Sequence, residues 1–306
     1  MRIHRFWASG AAVALVVVLA TAVLVSCYTV PETGRKSLIL IPESQELALG
    51  LSAYNEARSQ TPISDDPRYN AQVRRVGTRV ASVAGRDYYE WDFTVFDQPD
   101  IVNAWCLPGG KIGFYTGIMP LCDSDAGVAT VMAHEVGHAV ARHGAERMSL
   151  GLVLLAGQAA VAVATKDEER KNREMIMAAY GIGTTLFVQL PYSRKHEYEA
   201  DRIGLMLMAD AGYDPRESVY FWTRMMKYGE ARGGAPPEFL STHPSDAHRI
   251  AQLQQYMPEA LDRYYKATGL GPPPGSASTS SGGTTTTAAS GTTLRSAPIL
   301  RTGVAR

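Results

Sequence analysis

Residues 132–144 read MAHEVGHAVARHG, an Ala/Val-rich run that carries three histidines and a glutamate. An apolar core helix has no use for such side chains, and burying an imidazole without a partner costs stability. On an α-helix His134 and His138 stand one turn apart on the same face, with Glu135 about 100° round from His134. Two imidazoles at that spacing can hold one zinc ion per chain, the intervening carboxylate facing the water on the metal. The alternative is a pair of buried structural histidines, which would need no third ligand. A catalytic zinc takes three protein ligands and keeps one position open. The stretch HEYEAD offers the third, because Glu197 and Asp201 are four apart on one face of a second helix. Glu197 completes the ligand set, and Asp201 can accept the free ring N–H of a zinc-bound histidine and fix its tautomer. Glu199 falls on a different face and reads as a solvated charge. His196 reads as a surface residue or a supporting neighbour of the site, and His143 as a structural partner, not a ligand.

The elements that must position these residues follow from periodicity and punctuation. The histidine helix runs from about residue 124 to 143, with Asp123 and Ser124 available as caps. The HEYEAD helix ends at Gly212. Helices are also expected from Glu43 to about Ser59, from Pro67 behind its Asp66 cap to about Ala84, and from the Asp214–Pro215 pair onward. HPSDAHRIAQLQQYM and PEALDRYYKATG close the folded part. YEWDFTVF alternates Trp91, Phe93 and Val95 on one face, a half-buried strand. IVNAWC and KIGFYTG flank LPGG, two strands joined by a tight turn. Two apolar segments, Leu150–Thr165 and Met175–Leu190, are separated by KDEERKNRE and read as a helical hairpin packed on the domain, with a membrane hairpin as the alternative. Strands come early and helices late, which argues for an α+β fold with a small sheet, not a doubly wound parallel one.

The ends and the composition bound the function further. Arg2 and Arg5 precede an apolar run that ends in LVSC at Cys27, which reads as an export signal or, uncleaved, as a membrane anchor. Leu24–Cys27 resembles the bacterial lipobox, so the expected organisation is a lipoprotein signal peptide over 1–26, with Cys27 lipidated. An extended segment over 27–42 follows, then a folded domain over 43–268 and a tail over 269–306. Between Gly269 and Leu294 there is no charged residue, and too little apolar surface to offset ordering entropy. Formal net charge is zero, so nothing in the bulk composition suggests nucleic acid as a partner. Cys106 and Cys122 could pair or could be buried small hydrophobes.

HEVGH, SRKHEYEAD, NAWCLPGGKIGFYTG and STHPSDAHRI together resemble the zinc metallopeptidases related to the CAAX prenyl protease and the heat-shock membrane protease. They are most similar to the periplasmic lipoprotein branch, which includes the beta-barrel assembly-enhancing protease. The resemblance covers about residues 33–257. It implies a mostly helical, gluzincin-like domain with zinc on His134, His138 and Glu197 and with Glu135 as the base. It carries over Asn103, Ala104, Leu107, Pro108, Gly109 and Gly110 as the cleft edge, where a substrate backbone would add as a strand. It also assigns His243 and Arg249 to the active site. The branch's assembly-enhancing member carries a tetratricopeptide domain after its protease domain, where this sequence reads only as a disordered tail, which puts that member's partner-binding role in doubt here. The activity implied is that of an endopeptidase in the bacterial periplasm, lipid-anchored to the outer membrane and cleaving unfolded or misassembled envelope proteins. A chaperone-like lipoprotein and a membrane-integrated protease are the alternatives. His243 can donate to the oxyanion, can swing in to take zinc's fourth position, or can merely cap a helix.

Overall fold

The computed structural model describes residues 27–232, 237–243 and 247–271. The expected signal peptide, the Cys27 side chain and residues 272–306 of the expected tail lie outside the described residues. The chain opens with strands β1 (Cys27–Thr29) and β2 (Lys36–Leu38), an antiparallel pair where an extended segment was expected. Helix α1 (Glu43–Gln60) follows. Helix α2 (Pro67–Val83) starts as its sequence dictates, with proline in the first turn and the Asp66 carboxylate accepting the Arg68 N–H at 2.9 Å.

Strands β3 (Asp92–Phe96), β4 (Ala104–Leu107) and β5 (Lys111–Tyr115) form one sheet in the order β3-β5-β4. β4 runs antiparallel to β5 through a turn at Gly109 and Gly110, whose φ values of 86° and 78° suit glycine. β3 pairs parallel with β5, so the small sheet is mixed and β4 lies at its edge. The alternation expected of β3 is blurred, because Thr94, Val95 and Phe96 are all buried. Helices cover both faces: Tyr54 of α1 reaches Thr94 at 2.6 Å, while Gly77 of α2 lies against the Phe93 ring.

A short helix α3 (Met119–Cys122) leads into α4 (Asp125–Val140), whose N-cap Ser124 accepts the Gly127 N–H at 3.0 Å. Every α4 residue from Gly127 to Val140 is buried. The helix ends short of the expected His143, because Arg142 adopts left-handed backbone angles (φ 57°, ψ 37°) and the chain turns. Helix α5 (His143–Ala164) then runs out and α6 (Arg170–Thr184) returns. A π-helical turn at Thr185–Gln189 joins α6 to α7 (Leu190–Asp210). Helices α8 (Arg216–Ala231), α9 (Glu238–Thr242) and α10 (Ala247–Thr268) complete the described chain, α10 continuing through Pro258.

The α5–α6 hairpin departs from the expectation that it packs on the domain. No residue of α6 is buried, and Leu155, Val163, Met175 and Ile182 are each more than 60% exposed. The remaining elements bury a single core around α4, built from α2, the sheet, α7 and α8. α4 and α7 meet almost backbone to backbone. A Cβ on Gly204 would lie 2.8 Å from the His134 nitrogen, and one on Gly137 would lie 3.0 Å from the Ala200 carbonyl oxygen. Gly137 and Gly204 at that crossing leave the two helices in close backbone contact.

Gly204→Ala should therefore cost about 1–3 kcal/mol, since rigid backbone has to yield. Gly144→Ala, whose added methyl meets nothing within 4 Å, should cost nothing. Denaturant unfolding of the two variants measures the difference, and equal stabilities would refute the close-approach account.

Candidate metal centre

Because α4 and α7 lie so close, His134 and His138 from one face Glu197 and Asp201 from the other. His138 Nε2 is 3.2 Å from His134 Nε2 and 3.5 Å from Glu197 Oε1, and His134 Nε2 is 3.4 Å from Glu197 Oε2. His243, just beyond α9, places its Nδ1 at 3.3 Å from His134 Nε2 and 2.9 Å from Glu197 Oε2. A tetrahedral zinc with bonds of about 2.0–2.1 Å needs ligand atoms about 3.3 Å apart. Four of these five separations, 3.2–3.5 Å, match that spacing, and the His243–Glu197 pair at 2.9 Å is shorter. Neutral imidazole nitrogens and a carboxylate are also the chemistry zinc prefers, so the residues fit the ion.

Electrostatics make the same demand. Burial works against a charge on His134, yet Asp201 and Glu197 outweigh it and raise this histidine to about 9. Burial holds His138 well below its ordinary value, which leaves it neutral. Burial also opposes charge on Glu197, but His138, His134 and His243 keep its carboxyl ionised. The cluster thus calls for a cation, and metal uptake would displace a proton.

Asp201 Oδ1 stands 3.0 Å from His134 Nδ1, where a partner fixing the ring was expected. Asp201 is held in turn by Arg249, whose Nε and a terminal nitrogen donate to its two oxygens at 2.7 and 2.6 Å. The Arg249 guanidinium lies 3.9 Å over Trp222 and also donates to the His243 carbonyl at 3.2 Å. Glu135 is buried, which raises its carboxyl above the usual range. Its Oε1 has no hydrogen-bond partner among the described residues and lies 3.4 Å from His243 Nε2.

At the expected cleft edge, Asn103 donates through Nδ2 to Glu238 at 3.0 Å, and Ala104 and Leu107 bound β4. Pro108 and Gly109 pack on α1, and Gly110 packs against Trp91. Cys106 and Cys122 are unpaired thiols, both raised by burial.

Two side chains require correction: Glu199 is not a solvated charge, and of the two readings of His196 the surface one fails, since both residues are buried. His143, expected as a structural partner, is buried beside them. The turn at Arg142 swings His143 back so that its Nδ1 meets His138 Nδ1 at 2.8 Å. An unbroken helix would have placed residue 143 about 140° round from residue 138. With the Nε2 lone pair of His138 turned toward the other donors, its proton sits on Nδ1 and is donated to His143. The His143 Nε2–H then donates to Glu199 at 2.9 Å. Arg35 donates to Glu199 at 2.7 Å and to both oxygens of Glu146 at 2.6 and 2.7 Å. His196 contacts Glu146 at 3.0 Å and stacks on His143 with ring centroids 4.0 Å apart. His143, Glu146 and His196 also stand close enough to grip an ion, but the Arg35 guanidinium already neutralises Glu146. Glu199, opposed by burial but favoured by His143, Arg35 and Thr33, is held at about 2. Sequence spacing missed this layer because α7 is covered on two faces, the second by the β1–β2 arm that delivers Arg35.

Comparison with known proteins agrees with this chemistry. Residues 67–257 match the family described as Peptidase family M48. The mitochondrial metalloendopeptidase OMA1 of Schizosaccharomyces pombe is 35% identical over 234 residues, which cover 76% of this chain and 66% of the relative. The Saccharomyces cerevisiae protein of that name is 32% identical over 260 residues, covering 76% and 70%. The beta-barrel assembly-enhancing protease of Escherichia coli K12 is 27% identical over 246 residues, covering 75% and 47%. The match thus spans about two thirds of the yeast proteins and about half of the bacterial one.

His143→Ala should leave the His138 Nδ1–H unsatisfied and weaken zinc binding about 10- to 100-fold. His143→Asn, which keeps an acceptor near that atom, should lose much less. Chelator competition measures both, with the exposed His248→Ala as control. Equal affinities in all three would remove His143 from the chain of hydrogen bonds.

Proposed function

The chain belongs to peptidase family M48, a family of zinc metallopeptidases, and from that premise we propose a zinc-dependent endopeptidase of a bacterial envelope, cleaving misfolded or misassembled proteins. One arrangement carries the reading: four donors close to tetrahedral spacing beside Glu135, a buried carboxylate with one oxygen that accepts no hydrogen bond among the described residues. His134, His138 and Glu197 would hold the zinc, which when bound supplies Lewis acidity to a water and to the scissile carbonyl. Glu135 accepts the proton of the attacking water and returns it to the leaving amine, a task suited to a base whose affinity for protons burial has raised. Asp201 orients His134. Arg249 is a positioning residue, since its contacts with Asp201, Trp222 and the His243 carbonyl hold the ligand helix. The edge strand β4 receives the substrate backbone, from Asn103 and Ala104 toward Leu107 and the turn Pro108–Gly110.

The envelope setting rests on the lipobox-like Leu24–Cys27 and on the beta-barrel assembly-enhancing proteases among the relatives. Incorporation of labelled palmitate at Cys27 tests it; a chain that retains residues 1–26 unlabelled would argue for a signal anchor instead. His243 acts as a gate in this reading. Its Nδ1 takes the fourth corner of the donor set, while α9, which precedes it, leans on the start of β4 through a hydrogen bond from Phe239 N to Val102 O at 3.0 Å. Withdrawing His243 would vacate the corner a water needs and clear the strand edge.

Glu135→Gln should retain about one zinc per chain and lose several orders of magnitude of peptidase activity. Metal analysis and cleavage of an unfolded protein are the measurements, and undiminished cleavage would sink the assignment. His243→Ala should raise activity if His243 closes the site. A loss of about two to three orders of magnitude with zinc retained would make it a transition-state donor instead.

A further inference from the structure

The metal ligands, Glu135 and the charges behind them account for the buried polar groups, but one cation beside the cluster has no task. Arg147 lies on α5 four residues after His143, so the two side chains leave the same helical face one turn apart. His143 is turned toward the zinc cluster by its contact with His138 Nδ1, and Arg147 follows it on that face, further out. Arg147 is exposed and makes no hydrogen bond or ion pair among the described residues. Three other arginines around the cluster are committed: Arg35 to Glu146 and Glu199, Arg142 to Glu46, and Arg249 to Asp201.

The charge of Arg147 nevertheless reaches Glu135. Burial raises the Glu135 carboxyl, and the cations opposing that rise are His243, His134 and Arg147. Among the described residues, Arg147 is also the only charged side chain lining the open groove of about 650 Å³ beside α5, whose walls include Leu150, Leu154 and Tyr192. The guanidinium thus has Glu135 within its field, an apolar wall beside it and no carboxylate of its own.

Such a group calls for an anion, and the anion that arrives at a peptidase with each turnover is the client. A strand edge binds backbone and reads no charge. A guanidinium near Glu135 adds what the edge lacks, because its planar fork grips a carboxylate through two parallel N–H···O bonds. A basic client residue at the same place would be repelled. We propose that Arg147 is a specificity-determining residue, docking a client carboxylate close to the scissile bond and biasing the enzyme toward acidic extended segments. The inference rests on the peptidase reading above. Phosphate headgroups are anionic too, but a guanidinium whose field falls on Glu135 faces the client's path.

The test uses the full-length zinc enzyme and matched fluorogenic peptides that carry Glu, Gln or Lys at successive positions on either side of the cleaved bond. One set has both ends capped and the other a free C-terminal carboxylate, which separates a side chain from a chain end as the source of the anion. Wild type should cleave the best carboxylate peptide about two- to fivefold faster in kcat/KM than its neutral partner, the scale of an exposed ion pair. Arg147→Glu should invert the order in favour of Lys. Any effect of Arg147 on Glu135 touches all peptides alike, so the ratio between peptides isolates docking. Arg74→Glu, at an exposed position of α2, makes the same change in net charge and should leave the ratio as in wild type. Binding of the same peptides to the Glu135→Gln protein, read by fluorescence anisotropy, should follow the same order. That measurement needs no cleavage, so it tests the contact even where the peptidase reading fails. Equal ratios in wild type and Arg147→Glu overturn the proposal. An equal shift with Arg74→Glu overturns it in favour of long-range steering. Unchanged ratios together with weaker binding of Arg147→Glu to phosphatidylglycerol vesicles overturn it in favour of lipid headgroups.

Discussion

The crossing of α4 and α7 at Gly137 and Gly204 is the constraint on which the site depends. A metal cage needs donors a few ångströms apart on separate helices, whereas ordinary packing keeps helix axes about 8–10 Å apart with side chains between them. Glycine removes the intervening side chain at the crossing, so His134, His138 and Glu197 meet from opposite backbones without reaching. The price is a crossing without tolerance, because any added atom there lands on the peptide carrying a ligand. Trp222, stacked on Phe239 and lying under Arg249, packs edge-on against the His134 ring and closes the cluster there.

Around the cage, a layer of buried charges balances itself. Asp201 with Arg249 supports His134, and Glu199 with Arg35 and Glu146 supports His143 and through it His138. His134 and His143 are thus each backed by a carboxylate that is itself backed by a guanidinium. Isolated charges could not be buried at such density, but a carboxylate paired bidentately with arginine keeps its lone pairs satisfied. The arrangement fixes ring orientation before any ion arrives. It also ties the N-terminal arm to the site, since Arg35 is the cation on which the second half of the layer depends.

Much of this was legible in the sequence, for reasons that differ by residue. His134, His138, Glu197 and Asp201 announce themselves because i, i+4 spacing survives any tertiary context. The caps at Asp66 and Ser124 and the glycine turn after Leu107 are equally local. Three things were hidden because they depend on what lies across space. Glu199 sits on the opposite side of α7 from Glu197, and only the β1–β2 arm makes that side an interior. His143 reaches His138 only because one residue, Arg142, leaves the helical region. The parallel pairing of β3 with β5 requires knowledge of a partner that local alternation cannot supply. The α5–α6 hairpin is a fourth case: its apolar residues were visible, but periodicity does not say whether protein or lipid covers them.

Where a substrate docks on the edge of β4, as proposed, selectivity follows from the edge itself. A strand edge offers peptide groups, and peptide groups are common to every protein, so sequence is a weak criterion for docking there. What the edge can distinguish is whether an incoming chain already has its own backbone hydrogen bonds made. A native client has none to offer, while one that has come apart has a whole segment free. Capture then scales with the fraction of time a client spends open, and about 1.4 kcal/mol of lost stability presents about tenfold more of it. Recognition by such an edge would rank proteins by thermodynamic soundness, not by any motif they carry.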